Sequence, residues 1–170
     1  LARPWAIPGT PGLEHRIGGL EKQDLTGNVS YNPANHERMT VLREEKLAKI
    51  AADIPLAEVH GPEDGDLLVV GWGSTYGAIR AGVNNANKAG ARVTHLHLRY
   101  LNPFPTNLGE IVTRYPKVLV PELNRGQLSR LLRAEYLVPA MSFPKIQGVP
   151  FKASEIAAKI LETLDTKDDA

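Results

Sequence analysis

The sequence contains no cysteine among its 170 residues, which excludes disulfide bonds, cysteine nucleophiles and thiolate-bound zinc or iron–sulfur sites in this chain. It also has no uncharged run near the roughly 20 residues that a membrane-spanning helix needs. Neither sign of charge dominates, because 20 basic and 19 acidic residues leave a net charge of +1. This balance provides no overall field that would attract nucleic acid or an anionic membrane, so we expect neither as a partner.

The first residues, Leu-Ala-Arg-Pro-Trp, contain neither an initiator methionine nor a signal peptide with an apolar middle. We therefore expect a fragment of a longer polypeptide, with the cytoplasm as its location. The length fits a single domain. A content of 42% hydrophobic and 23% charged residues is typical of a folded globular chain.

Residues 1–60 differ in composition from the rest of the chain. Four prolines and five glycines within residues 1–33 predict an extended, irregular arm. A linker helix is predicted over about 35–53 and ends before Pro55, because four apolar residues follow helical spacing: Leu47, Ile50, Ala51 and Ile54.

Short β-rich runs alternate with amphipathic helices over residues 61–165. Helices are predicted after Gly73, near 108–115, near 128–132 and near 157–164. Strands are predicted at Leu67–Val70, Arg92–Leu98, Val118–Val120 and Lys145–Gln147. This alternation predicts an α/β fold of three layers, α/β/α, with a mostly parallel sheet. The charged tail, residues 166–170, is predicted to fray.

A glycine-rich turn, residues 71–77, follows the first strand and opens a helix. Gly71, Gly73, Ser74 and Thr75 lie where the carboxyl ends of parallel strands commonly bind ligands, and free helix amides attract anions. However, the spacing matches neither the dinucleotide pattern nor a phosphate loop. The alternative is a tight strand-to-helix turn in which Ser74 or Thr75 caps the helix.

Three hydrogen-bonding side chains follow the third strand: Glu122, Asn124 and Gln127. Their position at a strand's carboxyl end suits either a binding site or a docking surface. The alternative is helix capping by Asn124 beside a solvated carboxylate. The next helix carries a local basic group, either a solvated face or a contact for phosphate or carboxylates, formed by Arg125, Arg130 and Arg133.

Two histidines, His95 and His97, share one face of the second strand because side chains alternate along a strand. Two imidazoles can bind a metal together, but a third ligand is needed, and neither His15, His36 nor His60 is recognisably placed to supply it. We therefore predict no metal site, and expect both rings to bond to neighbouring groups. Beyond this strand, the prolines around Phe104 predict a rigid turn that can contain a cis peptide.

Seven stretches, in this order, make the chain resemble the alpha subunit of 2-oxoacid:ferredoxin oxidoreductases, most closely the 2-oxoglutarate type, in its C-terminal part. They are PGTPGLEH (8–15), GGLE (18–21), NHERM (35–39), REEK (43–46), GWGST (71–75), LRYLNPFP (98–105) and PELNRGQL (121–128). The resemblance implies that residues 61–165 form the domain similar to the transketolase C-terminal domain. Residues 1–60 would be an arm and linker helix that follow an absent pyrimidine-binding domain.

The resemblance also implies cofactors and partners for the whole enzyme. Such enzymes use thiamine diphosphate with Mg to decarboxylate a 2-oxoacid, pass electrons through an iron–sulfur cluster to ferredoxin, and transfer the acyl group to coenzyme A. The expected partners are the beta subunit and the remainder of the alpha subunit. The sequence Asp64-Gly65-Asp66 does not match the Gly-Asp-Gly turn of a thiamine diphosphate site, so we expect no cofactor and no catalytic residue in this chain alone.

Two other functions stay open at this point. The domain can come from another thiamine diphosphate enzyme, such as a pyruvate dehydrogenase beta chain or a transketolase. Alternatively, the turns at 71–75 and 122–127 border a site for a small molecule or anion, with coenzyme A or a nucleotide as candidates.

Overall fold

The computed structural model describes residues 5–166 and divides the chain into two compact units, Leu1–Asp53 and Ile54–Ala170. Of the tail that is predicted to fray, residues 167–170 lie outside the described residues. No helix within residues 5–166 has both the length and the hydropathy that crossing a bilayer requires.

The first unit consists of turns, one isolated antiparallel bridge between Lys22 and Val29, and helix α1 (Pro33–Ile50). Asn32 begins the helix, because its side-chain oxygen accepts hydrogen bonds from the amides of Ala34 (2.9 Å) and Asn35 (3.2 Å). The helix therefore starts two residues before the predicted position. It also ends earlier than predicted, at Ile50.

Charged side chains connect the bridge region to α1. Glu21 accepts hydrogen bonds from both terminal nitrogens of Arg43 (3.3 and 3.4 Å), and it also contacts Nδ1 of His36 at 2.8 Å. Nε of Arg38 donates to Asp24 at 2.5 Å. Arg43 and then His36 lower the pKa of the Glu21 carboxyl to about 2. Polar contacts thus define the shape of this unit, in which no residue from 5 to 53 is buried.

The second unit contains a five-stranded sheet in the order β1-β3-β2-β4-β5. Strands β3, β2, β4 and β5 run parallel, and β1 pairs antiparallel with the edge of β3. The two-residue strand β1 carries no hydrophobic pattern and was not predicted from the sequence. The strands are β1 (Val59–His60), β2 (Leu67–Trp72), β3 (Val93–Leu98), β4 (Val118–Glu122) and β5 (Met141–Pro144).

Helices cover both faces of the sheet. A 3-10 turn (Gly73–Thr75) precedes α2, and the helices are α2 (Tyr76–Lys88), α3 (Leu108–Arg114), α4 (Gln127–Tyr136) and α5 (Ala153–Asp165). Leu68 and Val70 of β2 point into one apolar core with α3 and α4, whereas Leu67 and Val69 point into the other with α2 and α5. This alternation confirms the predicted three-layer α/β/α fold with a mostly parallel sheet.

The prediction of a last strand at Lys145–Gln147 is wrong. Strand β5 ends at Pro144, and its residues pair with β4 from Leu119↔Met141 to Glu122↔Pro144. The amide of Lys145 makes a further bond to the carbonyl of Glu122 (2.8 Å), and its side chain forms an ion pair of 2.8 Å with Glu155 on α5. An edge strand with largely exposed side chains has no apolar run that would mark it in the sequence.

Candidate functional site

The two candidate turns meet where the carboxyl ends of β2 and β4 separate. Strand β2 pairs with β3 over six positions but with β4 at only two, Leu68↔Val118 and Val69↔Leu119. The chain also passes from one side of β2 to the other between β3 and β4. Such a switch in strand order leaves a crevice in which open α/β sheets commonly bind ligands.

In this protein the crevice is bridged by two of its own side chains. Nε1 of Trp72, at the end of β2, donates a hydrogen bond of 3.3 Å to Oε1 of Glu122, at the end of β4. Glu122 is fully buried. Its carboxylate also accepts bonds from the backbone amides of Leu128 (2.8 Å) and Ser129 (3.2 Å) in the first turn of α4.

The helix amides that could attract an external anion therefore already bind an internal carboxylate. The expectation of a solvated carboxylate at Glu122 is wrong, since Asn124 Nδ2 adds a further hydrogen bond of 3.1 Å to it. Gly126, not Asn124, occupies the N-cap of α4, but Asn124 does bond to amides at the helix entry. Its Oδ1 accepts from the amides of Gly126 (2.8 Å) and Gln127 (3.0 Å) at the entry to α4. The Gln127 side chain is exposed.

The glycine turn is a tight strand-to-helix connection. A Cβ on Gly71 would lie 2.4 Å from Cδ1 of Ile79 and 2.9 Å from Oγ1 of Thr75, so a larger residue here would require these two side chains to move. Gly73 has a φ of +58°, which favours glycine as well.

The hydroxyl of Thr75 stabilises this turn. It does not cap α2, which was one of the two alternatives for Ser74 and Thr75. It donates to the carbonyl of Trp72 (2.8 Å) and accepts from the amide of the same residue (3.2 Å). Ser74 is exposed and makes no side-chain bond to a described residue that would cap α2. The structure thus brings Gly71, Thr75, Glu122 and Asn124 together, and leaves Ser74 and Gln127 at the surface.

His95 and His97 lie near α2, with Tyr76 of that helix against both rings at centroid distances of 5.5 and 5.0 Å. The expectation that both rings bond to neighbours is wrong, because both ring nitrogens of the fully buried His95 and Nδ1 of His97 have no hydrogen-bond partner among residues 5–166. Burial, followed by nearby His97 and Arg80, lowers the pKa of His95 to about 3. Burial also lowers the pKa of His97.

Sequence reasoning missed that His60 belongs to this cluster. It stands opposite His95 across the β1–β3 pair, with ring centroids 6.2 Å apart. This neighbour does not complete a metal site: no group of three or more potential ligands among residues 5–166 is arranged to hold a metal ion.

The remaining candidates lie at the surface or in turns. Arg125, Arg130 and Arg133 are exposed, and none forms an ion pair with another described residue. The predicted proline turn contains a cis peptide at Asn102–Pro103. Asn107, which the sequence did not single out, fixes the chain before β1. Its side chain donates to the carbonyl of Ala57 and accepts from the amide of the same residue, both at 2.9 Å.

Comparison with known proteins matches residues 65–145 to the family model described as pyruvate:ferredoxin oxidoreductase core domain II. The chain is 53% identical over 165 residues to 2-oxoglutarate oxidoreductase subunit KorA of Mycobacterium tuberculosis. That match covers 96% of this chain and 25% of the relative.

Two solved structures share the fold. The 2-oxoglutarate:ferredoxin oxidoreductase from Magnetococcus marinus, with 2-oxoglutarate, coenzyme A and succinyl-CoA bound, is 34% identical. It superposes with a TM-score of 0.83, covering 95% of this chain and 28% of that one. A split-gene transketolase, as an inactive beta4 tetramer, superposes with a TM-score of 0.50 at 15% identity, covering 63% of this chain and 41% of that one, and shows the fold alone.

The sheet order and the two helix layers define a three-layer α/β/α module, a fold that this chain shares with a transketolase. Nearly the whole chain is similar to alpha subunits of 2-oxoacid:ferredoxin oxidoreductases, and residues 65–145 match one domain of the pyruvate:ferredoxin oxidoreductase family. The chain spans about a quarter of the length of the relatives it matches.

Proposed function

We propose that this chain is the C-terminal module of the alpha subunit of a thiamine diphosphate-dependent 2-oxoglutarate:ferredoxin oxidoreductase. The whole enzyme would convert 2-oxoglutarate and coenzyme A to succinyl-CoA and pass the electrons to ferredoxin in the cytoplasm. The observation that carries this proposal is the similarity to KorA across 96% of the chain. The same similarity favours this enzyme over a transketolase or a pyruvate dehydrogenase beta chain.

The residues of this chain do not fit the cofactors of the reaction. Asp64 and Asp66 flank the amino end of β2, opposite the crevice. Oδ1 of Asp64 pairs with Arg92 at 2.7 Å, and a Cβ on Gly65 would meet the carbonyl of Arg92 at 2.8 Å. The side chain of Asp64 is thus engaged with Arg92, and the turn lies at the end of the sheet away from the crevice. An iron–sulfur cluster would need thiolates, and the sequence has no cysteine. Thiamine diphosphate, Mg and the cluster therefore belong to other parts of the complex.

We assign an architectural and interface role to the chain. The candidate turns support this role, because Glu122, Asn124 and Thr75 form hydrogen bonds within the module. What they present outward is a surface that includes Ser74 and Gln127. The partners for this surface and for the first unit would be the remainder of the alpha subunit and the beta subunit.

The first unit supports the same role. Its polar contacts are made internally, whereas its large apolar side chains are exposed, which is the composition of a surface that another protein covers. The exposed residues are Trp5, Ile7, Leu13, Ile17, Leu20, Leu25, Tyr31, Val41, Leu47 and Ile50.

A chimeric enzyme tests the proposal. This chain replaces the matching quarter of the alpha subunit in the M. tuberculosis relative, and 2-oxoglutarate-dependent reduction of a viologen dye is measured with coenzyme A present. We expect the chimera to assemble and to keep activity within about tenfold of the parent, since the two segments are 53% identical. The isolated chain should show no turnover, and the same enzyme with the quarter deleted should not assemble. Turnover by the isolated chain, or a chimera that assembles but is inactive, would contradict the proposal.

A further inference from the structure

Strand β1 and its flanking residues, 58–61, form the least anchored part of the sheet edge; we call this segment the β1 flap. Its ladder with β3 is two residues long, and no residue from 54 to 61 is buried. The flap is fixed at both ends. Asn107 bonds to Ala57 before it, and the hydroxyls of Thr94 and Tyr115 donate to the carbonyl of Pro62 after it. A segment with so few buried contacts opens at lower free energy than the core strands.

The β1 flap covers the imidazole of His95, whose burial is not compensated by hydrogen bonds from the described residues. His95 is fully buried, and neither ring nitrogen has a hydrogen-bond partner in the part of the chain that the structure describes. A buried polar group without a partner is unfavourable, so an opening that admits water to this ring relieves a cost present in the closed state.

Burial and the nearby His97, Arg80 and His60 oppose a positive charge on His95. From the flap, His60 stands opposite across the ladder. His97 lies on the same face of β3, with ring centroids 6.0 Å apart. From α2, Tyr76 packs on the ring and Arg80 contributes a positive charge, while β2 places apolar Val69 alongside. No carboxylate is among them.

We propose that the β1 flap is an acid-responsive element, in which opening of the flap lets His95 take up a proton and so favours the open state as the pH falls. The inference concerns this chain's own sheet edge and does not depend on the proposed enzyme activity.

The magnitude follows from linkage between proton uptake and opening. In the closed state burial holds the pKa of His95 near 3, whereas an exposed histidine titrates near 6.5. A histidine whose pKa is lower in the closed state than in the open state stabilises the closed state fully at pH values above the open-state pKa. This stabilisation is lost as the pH falls below the open-state pKa. The opening equilibrium should therefore rise about 30-fold between pH 7.5 and pH 5.0.

Hydrogen exchange of the full 170-residue chain tests the proposal. Amide protection is measured at pH 7.5 and 5.0 and corrected for the intrinsic chemical exchange rate. We expect protection at residues 59–60, and at the β3 amides that bond to β1, to fall about 30-fold at the lower pH. It should lie below the protection of β4 at both pH values, because the opening is local. Equal protection in β1, β3 and β4 would mean global unfolding and would overturn the proposal.

Variants separate His95 from other titrating groups. His95→Leu should abolish the pH dependence at the flap, and His95→Asn does so with a polar side chain if the leucine variant fails to fold. His36→Gln, an exposed position in the other unit, should retain the 30-fold fall. As a direct measurement on the unmodified chain, the His95 ring signals in NMR should not titrate above about pH 4. A midpoint near 6.5, or a fall that persists in both His95 variants, would overturn the proposal.

Discussion

At the residue scale, Glu122 connects the elements of the candidate site. Its carboxylate satisfies two backbone amides at the start of α4 and joins the ends of two strands through the indole of Trp72. An internal anion at a helix N-terminus stabilises the helix and leaves no free amides there for an external one. The residue type that suggested a ligand site in the sequence is thus the reason why the turn is closed.

Substitution of Glu122 should be destabilising out of proportion to its size. In Glu122→Gln an NH2 group replaces one carboxylate oxygen and faces a backbone amide of Leu128 or Ser129, so one buried donor loses its acceptor. We expect the free energy of unfolding in urea to fall by about 1–3 kcal/mol, and by more in Glu122→Ala. The exposed Glu135→Gln on the same helix should change it by less than about 0.5 kcal/mol. Wild-type stability of Glu122→Gln would show that the carboxylate bonds are unimportant.

The sequence predicts which residues lie in the candidate site better than it predicts their burial and hydrogen bonds. The bonds of Asn124 at the entry to α4 could be predicted because they involve amides two and three residues away. The environment of Glu122 includes Trp72, which lies fifty residues earlier in the chain. The environment of His95 includes His60, which a two-residue ladder places opposite it. Contacts at such separation leave no local pattern, so a solvated carboxylate and bonded histidines were the natural expectations.

At the scale of elements, α2 and α5 pack most closely at Gly82. A Cβ at this position would lie 2.6 Å from both Cβ and Cγ2 of Ile156, and 3.0 Å from the carbonyl of Ala153. These atoms belong to the backbone or its first branch and cannot rotate away. The absence of a side chain on Gly82 therefore determines how near the two helices can approach.

Two alanine substitutions in α2 should have opposite effects. Gly82→Ala forces α5 away from α2, and we expect the free energy of unfolding to fall by about 1–3 kcal/mol. Gly77→Ala meets nothing within 4 Å, so the better helix propensity of alanine should raise stability by up to about 1 kcal/mol. Chemical denaturation of both variants measures the difference. A loss of similar size in both would refute the steric explanation.

Whether an element can be predicted from the sequence depends on how much of it is buried in a core. Strand β2 and helix α2 were recognised because they contribute long apolar runs or stripes to the cores. Strand β5 is at the sheet edge with mostly exposed side chains, and β1 is two residues long, so neither carries a periodic signal. The predicted strand at 145–147 fell on the first residues beyond the sheet.

At the scale of the whole molecule, the two units differ in what holds them together. Residues 5–53 rely on turns, a helix cap and ion pairs such as Arg38–Asp24. The second unit contains every buried residue within the described 5–166. Exposed ion pairs contribute little to stability, whereas buried apolar area contributes most of it. The cooperative folding unit of this chain should therefore be the second unit alone.

A shortened chain of residues 54–170 tests this conclusion. We expect it to fold cooperatively, with a Tm within about 5 °C of the full chain, because no apolar core is lost. Thermal unfolding followed by the fluorescence of Trp72, which reports on the bridged crevice, provides the measurement. As a control, residues 54–150 lack α5 and with it Ile156 and Ile160, both fully buried, so this version should not give a cooperative transition. If 54–170 fails to fold while the full chain folds, the first unit is required for stability and the division of roles is wrong.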